Sequence, residues 1–191
     1  MKLVFATHNP HKFSEVQLVM PQGIDLLSLD DIGCIEEIPE TGKTLEANAQ
    51  LKADYVSKHF GVPCFADDTG LLIDALQGAP GVYSARYAGP TKNAHLNMAK
   101  VLHEMEGKML RSAHFKTVIA LNLDGKSYFF VGEVHGEITT SIEGNGGFGY
   151  DPIFRPTGYM QTFAQLTTVQ KNTMSHRGQA VRELITFLNT R

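Results

Sequence analysis

The sequence predicts an α/β domain built on a mixed sheet, and three observations carry that prediction. The N-terminal half alternates short apolar runs with periodic helical segments, the β-α-β pattern of parallel strands. Residues 114–123 and 127–138 alternate in hydrophobicity on either side of Asp124-Gly125, a strong turn signal, so they form an antiparallel hairpin. From Ser175 onward, Val181, Leu184, Ile185 and Leu188 fall on one apolar helical stripe. A chain of 191 residues with 42% hydrophobic content supports one substantial core or two lobes sharing a sheet, and we read residues 1–191 as a single domain.

The first strand runs from Lys2 to Ala6. Asn9 then stands as an N-cap with Pro10 at the first helical position, and Phe13, Val16 and Met20 share one helical face. Thr7, His8, Asn9, Pro10, His11 and Lys12 therefore form a strand-to-helix turn whose free N–H groups suit an anion, phosphate above all. Lys12 opposes the helix dipole, which makes sense with a phosphate lying between them; a solvated surface lysine is the other reading. Leu26 to Leu29 is a weak second strand. The acidic loop after it holds Asp30, Asp31, Glu36, Glu37 and Glu40, either a solvated face or the source of one metal ligand. Thr44 caps a helix that runs to about His59 and carries Asn48, Lys52 and Tyr55.

An apolar run, Val62 to Ala66, leads into Asp67-Asp68, and Thr69-Gly70 is expected to break the strand before a second one from Leu71 to Ala75. Two adjacent carboxylates at the end of a buried strand raise each other's pKa unless a cation or strong donors answer them. They read either as an Asx turn between strands or as ligands of a hard divalent ion such as Mg2+, which takes carboxylates and phosphate oxygens together. Neighbours on a regular strand point to opposite faces, so Asp67 can be a buried hydrogen-bonded partner while Asp68 faces a site.

Gly78 to Gly81 forms a rigid loop before Arg86, which pairs with a phosphate or anchors the loop to a carboxylate. A helix from Asn93 to Glu106 is expected to turn Leu96, Ala99 and Leu102 to the core. Gly144 to Pro152 satisfies G-x-G-x-x-G literally but opens no helix, so it is no dinucleotide fingerprint. It reads as a loop that approaches a flat ligand and offers a ring to stack on it, or as a tight turn whose aromatics plug the core. Ser175 is the expected N-cap of the terminal helix, with His176 and Arg177 in its first turn and Lys171 in a loop before it. That much cationic character at a helix start points to an electronegative ligand or to a salt bridge.

Several classes are excluded. A net charge of −3 and a pI near 6.2 do not fit a general nucleic-acid binder. Cys34 and Cys64 lie far apart and in no C-x-x-C pattern, which indicates neither a disulfide framework nor zinc and suits a reducing compartment. The N-terminus turns polar too early for a signal peptide, and no apolar run approaches the roughly 20 residues of a membrane span, so a soluble cytoplasmic protein is expected. Gly42-Lys43-Thr44 lacks the leading glycine of a P-loop, since position 37 is Glu37; His103-Glu104 lacks the second histidine of a zinc protease, since position 107 is Gly107. The adjacent aspartates do not match the D-x-D-x-T of haloacid dehalogenase-type phosphatases.

Taken together, Thr7-x-Asn9-x-x-Lys12, Ala66-Asp67-Asp68-Thr69-Gly70, Gly81-Val82-Tyr83-Ser84-Ala85-Arg86, Gly147-Phe148-Gly149-Tyr150-Asp151-Pro152 and Ser175-His176-Arg177-Gly178-Gln179-Ala180 resemble the inosine triphosphate pyrophosphatase family, in family order and over nearly the whole chain. The resemblance implies Mg2+-dependent hydrolysis of ITP, dITP and XTP to monophosphate and pyrophosphate. It also implies a homodimer, and an elongated, twisted mixed sheet with helices on both faces and two lobes flanking a central cleft. By the same resemblance Asp68 is the proton acceptor and a metal ligand, with Glu40 the best match for the second metal carboxylate. Thr69 stands beside the substrate where the family usually has Ser. Thr7 to Lys12 binds the triphosphate, aided by Lys52 and Arg86; Phe148, Gly149, Tyr150 and Asp151 bracket the base; Lys171, His176 and Arg177 surround the purine. Rival readings are a Maf-type pyrophosphatase acting on pyrimidine or modified nucleotides and a non-catalytic nucleotide-binding protein.

Overall fold

The structure, a computed structural model, describes residues 1–190. In chain order its elements are β1 (Lys2–Phe5), α1 (Pro10–Gln17), β2 (Asp25–Leu27), α2 (Leu45–Phe60), β3 (Cys64–Ile73), β4 (Pro80–Gly81), α3 (Ala94–Glu104), β5 (Ser112–Leu123), β6 (Lys126–Ile138), β7 (Phe154–Pro156), α4 (Thr168–Met174) and α5 (His176–Leu188), joined by loops and short 3-10 turns. The strand order is β2-β1-β3-β5-β6-β7, with β4 also paired to β3. β1 is parallel to β2 and β3, whereas β4 on β3 and β7 on β6 are antiparallel, so the sheet is mixed as the sequence predicts. No helix among the described residues is long and apolar enough to cross a membrane.

The chain divides into two compact units, residues 1–68, 117–132 and 177–191 in one, and 69–116 and 133–176 in the other. In the first unit Leu3, Phe5, Phe65, Ile119 and Leu121 from the strands meet Val16 of α1 and Val181 and Leu184 of α5 in one core. Phe5 stacks on Phe65 at 4.5 Å between ring centroids, a contact set by the β1–β3 register that pairs those two residues. Each such buried aromatic stabilises the fold by about 1.5–3 kcal/mol relative to exposure. The second unit has its own core, in which Leu71, Ile73, Phe115, Phe154 and Phe163 pack with Met98, Val101 and Met105.

Two expectations about these elements are corrected. β3 does not break at Thr69-Gly70; it runs unbroken through both aspartates to Ile73. The reason is that partners exist on the far side: β4 pairs with Leu71 and Leu72, and Ser84 Oγ accepts the Leu71 N–H at 2.9 Å. In α3 the buried face is Asn97, Met98 and Val101, followed by Met105, while Leu96 is 53% exposed and Ala99 lies outside the core. Asn97 sets that rotation, because its side chain accepts from the Ala88 N–H at 2.7 Å and donates to the Ala85 carbonyl at 3.0 Å. The hairpin matches its prediction, with Asp124 and Gly125 at φ 51° and 72°, the paired positive values of a type I′ turn.

Candidate active site

In the first unit, the alternation of β3 separates the two aspartates. Asp67 accepts from Lys12 Nζ at 2.8 Å on one oxygen and from Arg177 Nε and Nη2, both at 3.1 Å, on the other. Arg177 Nη1 donates in turn to Glu15 at 2.6 Å. All of these groups except Lys12, which is partly exposed, are buried. Burial opposes the charge on Asp67, but Lys12, Arg177 and Lys52 outweigh it and hold its pKa below the ordinary carboxylate range. Burial lowers the pKa of Lys12, and Lys52 and Arg177 lower it further; Asp67, at ion-pair distance, works the other way.

Asp68 meets a different set. Asn48 Nδ2 donates to it at 3.0 Å, and Lys52 Nζ stands 3.9 Å away while bonding Glu40 at 2.6 Å. Asn48 and Lys52 are four apart on α2 and so share a helical face. The Gly42 N–H donates to Asn48 at 2.8 Å, and a Cβ at Gly42 would lie 2.7 Å from that same Asn48 oxygen, so the chain needs glycine there. Burial raises the pKa of Asp68; Lys52 and Lys12 pull it down, Glu40 adds to the rise, and the balance stays above the ordinary value. Burial disfavours the charge on Lys52, but Asp68, Glu40 and Asp67 outweigh it and raise its pKa. Asp68 is thus a carboxylate with less compensation than it needs, beside a lysine that stays charged.

The turn after β1 is built differently from its expectation as an anion cradle. Asn9 Oδ1 accepts the N–H groups of His11 at 3.0 Å and Lys12 at 3.3 Å, Pro10 has none to offer, and Phe13 N–H bonds the Asn9 carbonyl. The first-turn donors are therefore already engaged within the chain. What the turn presents instead is side chains: Thr7, whose Oγ accepts the Asn9 N–H, the exposed His8, Pro10 and His11, and Lys12. His8 Nε2 lies 3.0 Å from the Glu36 carbonyl.

In the second unit, Asp151 and Lys171 form a buried pair at 2.6 Å. Asp151 also accepts the Phe148 N–H at 2.9 Å, and Lys171 Nζ lies 4.5 Å from the Phe148 ring centroid. This fold-back requires Gly147: its φ is +67°, and a Cβ there would fall 2.1 Å from the Asp151 carboxylate. Phe148 and Gly149 are half-buried, and so is Thr69 on β3. Tyr150 is buried, donating to the Ser84 carbonyl at 2.7 Å, so it belongs to the core and not to a stacking surface. Lys171 lies in α4 and not in a loop, and Ser175 donates its N–H to the Lys171 carbonyl between α4 and α5. His176 is buried, its ring stacked on Phe115 at 4.6 Å. Arg86 lies over the Tyr83 ring at 5.3 Å.

Two residues of the first cluster lie outside the sequence-derived site. Asn48 holds Asp68, and Glu15 completes the coordination of Arg177. Signals for both exist: Asn48 lies one helical turn from Lys52, and Glu15 is a carboxylate on the helix that also supplies the buried Val16.

The Asp68 and Glu40 carboxylates are donors of the kind a hard divalent ion takes. Two oxygen donors, Asp68 and Glu40, share one lysine, and their negative charge is incompletely neutralised. Among the described residues no group of three His, Cys, Asp or Glu could hold a metal ion.

Comparison with known proteins matches residues 3–187 to a family model described as the Ham1 family. The chain is 57% identical over 188 residues to the dITP/XTP pyrophosphatase of Flavobacterium johnsoniae, covering 98% of each chain, and 54% identical over 189 residues to that of Christiangramia forsetii, covering 99% of this chain and 100% of the relative. It is also similar to the solved structure of a HAM1 protein from Coxiella burnetii, with a TM-score of 0.92, 38% identity and full coverage of both chains.

Proposed function

The chain belongs to the Ham1 family, and on that premise we propose the reaction its residues support best. It is a nucleoside triphosphate pyrophosphohydrolase that converts ITP, dITP and XTP to the monophosphate and pyrophosphate, removing them from the nucleotide pool. The observation that carries this reading is Asp68, a buried carboxylate short of compensating charge, flanked by Lys52 and Glu40 and one residue along β3 from the Lys12–Asp67 pair.

Asp68 orients a water molecule and takes its proton as the oxygen attacks beside the bridge between the α- and β-phosphates, in line with the departing pyrophosphate. Asn48 fixes the carboxylate for that task. Lys52 and Lys12 face the phosphate charge, and Thr7, His8, Asn9, Pro10 and His11 line the turn beside it, acting through side chains because the backbone donors are capped. Asp68 and Glu40 would hold Mg2+, which would supply charge neutralisation to the phosphates. Phe148, Gly149 and Asp151 receive the base; Lys171 and His176 supply donors that a 6-keto purine satisfies and a 6-amino purine leaves unpaired, the kind of mismatch that rejects a substrate strongly, while Arg177 is committed to Asp67 and Glu15. Thr69, on the same β3 face as Asp67, stands beside the substrate, and Tyr150 supports the base loop from within the core. A single catalytic domain, a homodimeric state and a cytoplasmic location complete the reading and rest on the family likeness.

The test is pyrophosphate release from a panel of triphosphates with and without Mg2+. Turnover of ITP, dITP and XTP well above ATP, dTTP and UTP is expected, and only with the metal. A preference for dTTP or UTP would move the protein to the Maf-type class, and binding without release would make it a sensor.

A further inference from the structure

We propose that His114 and His135 form a second metal site, a two-imidazole chelate for a borderline divalent ion such as Zn2+, on the outer face of the β5–β6 hairpin. The two-residue turn at Asp124-Gly125 sets the register: Asn122 lies opposite Ser127, whose Oγ donates to it at 2.7 Å, and Lys116 lies opposite Glu133 at 3.6 Å. The same count places His114 directly across from His135, and their ring centroids are 5.2 Å apart. Phe115 and Val134 between them turn inward to the core, so the two imidazoles face outward; His135 is exposed and His114 half-buried.

The spacing fits one shared ion. With Zn–N bonds of about 2.0–2.1 Å and tetrahedral angles, two ligating imidazoles place their ring centroids roughly 5 Å apart. Among the described residues neither ring has a hydrogen-bond or salt-bridge partner, so both keep their nitrogens for an outside ligand. The carboxylates beside them are already engaged, Glu133 by Lys116 and Glu137 by Arg155. The site therefore offers two nitrogens and leaves the remaining positions of the ion to water or to a further ligand. Imidazole pairs favour Zn2+, Ni2+ and Cu2+ over Mg2+, which prefers oxygen, so this site and the Asp68–Glu40 carboxylates select different ions.

An ion held across two strands binds the folded chain far better than the unfolded one and stabilises it by mass action. The experiment is calorimetric titration of the full-length, metal-free protein with Zn2+, paired with thermal melts, for the wild type and for H114Q, H135Q and the control variants H95Q and H11Q. A Zn2+ equivalent that weakens at least tenfold in both H114Q and H135Q, together with loss of the Zn2+-dependent rise in Tm, supports the site, provided the controls and a D68N background retain both signals. Zn2+ binding and stabilisation unchanged in H114Q and H135Q overturns it. So does a wild type that binds no Zn2+, which would leave the two rings as a cross-strand packing pair.

Discussion

Asp67 and Asp68 are chain neighbours of the same chemistry, and β3 sends them into opposite electrostatic worlds. One face is saturated, with Asp67 between Lys12 and Arg177 and Glu15 behind. The other is undersupplied, with Asp68 leaning on Asn48 and on a lysine that Glu40 already shares. The first arrangement holds the fold together, tying α1, β3 and α5. The second leaves a carboxylate poised to do work. The difference teaches that the number of cations near an acid matters less than how many acids those cations must serve.

The comparison breaks first at Asp68. Asp68→Asn should lower pyrophosphate release about 10²- to 10⁴-fold, the usual worth of a general base, with a melting temperature close to wild type. Activity within tenfold of wild type would remove Asp68 from the chemistry. Arg177→Met should act in the opposite sense, on stability. It leaves two buried carboxylates facing one lysine, a loss of about 3–5 kcal/mol, and scanning calorimetry should find Tm lowered by about 10 °C. An unchanged melt would mean the cluster is not structural.

Acid titration of the metal-free protein sharpens the contrast. The depressed pKa of Asp67 means its ionised form is favoured by folding, so its contribution is present above the ordinary value of 3.8 and disappears as pH falls towards the folded value. Asp67→Asn should therefore flatten the acid limb of stability in urea unfolding. The raised pKa of Asp68 has the reverse sign: its contribution is present below the ordinary value of 3.8 and is lost as pH rises through the folded value, so Asp68→Asn should match or exceed wild type at neutral pH. Curves of the same sign for both variants would contradict the assignment. The smallest effect concerns the third buried aspartate, Asp151. Gly147→Ala forces a Cβ against its carboxylate at a left-handed φ, costing about 1–2 kcal/mol, and should weaken ITP binding more than it lowers kcat.

Much of this was legible in the chain. Hydrophobic period and turn chemistry placed β1, the N-capped start of α1, α2 and the hairpin, because those signals are local. The pleat alone separated Asp67 from Asp68. What the sequence hid is non-local. Thr69-Gly70 looks like a strand breaker until Ser84 and β4 supply the missing ladder partners. Asn97 overrides the apolar stripe of α3 through bonds to a loop nine and twelve residues upstream. Asn48 and Glu15 carry only the spacing of their helices and no motif, so the partner each one orients is visible only in the fold. The cap on α1 illustrates the same limit: Asn9 was readable as a cap, but a cap that consumes the donors also withdraws them from a ligand.

The unbroken course of β3 through both aspartates makes the strand intolerant of a change in length. Adding one residue between Cys64 and Ala66 would turn every later side chain over and carry the first acid to the place beside Lys52, whereas removing one would carry the second acid to the place beside Lys12 and Arg177. The first change leaves Lys12 and Arg177 facing Ala66, the second leaves Lys52 facing Thr69, and no single substitution elsewhere restores both places. Substitutions in this stretch can drift one at a time, but its length is frozen.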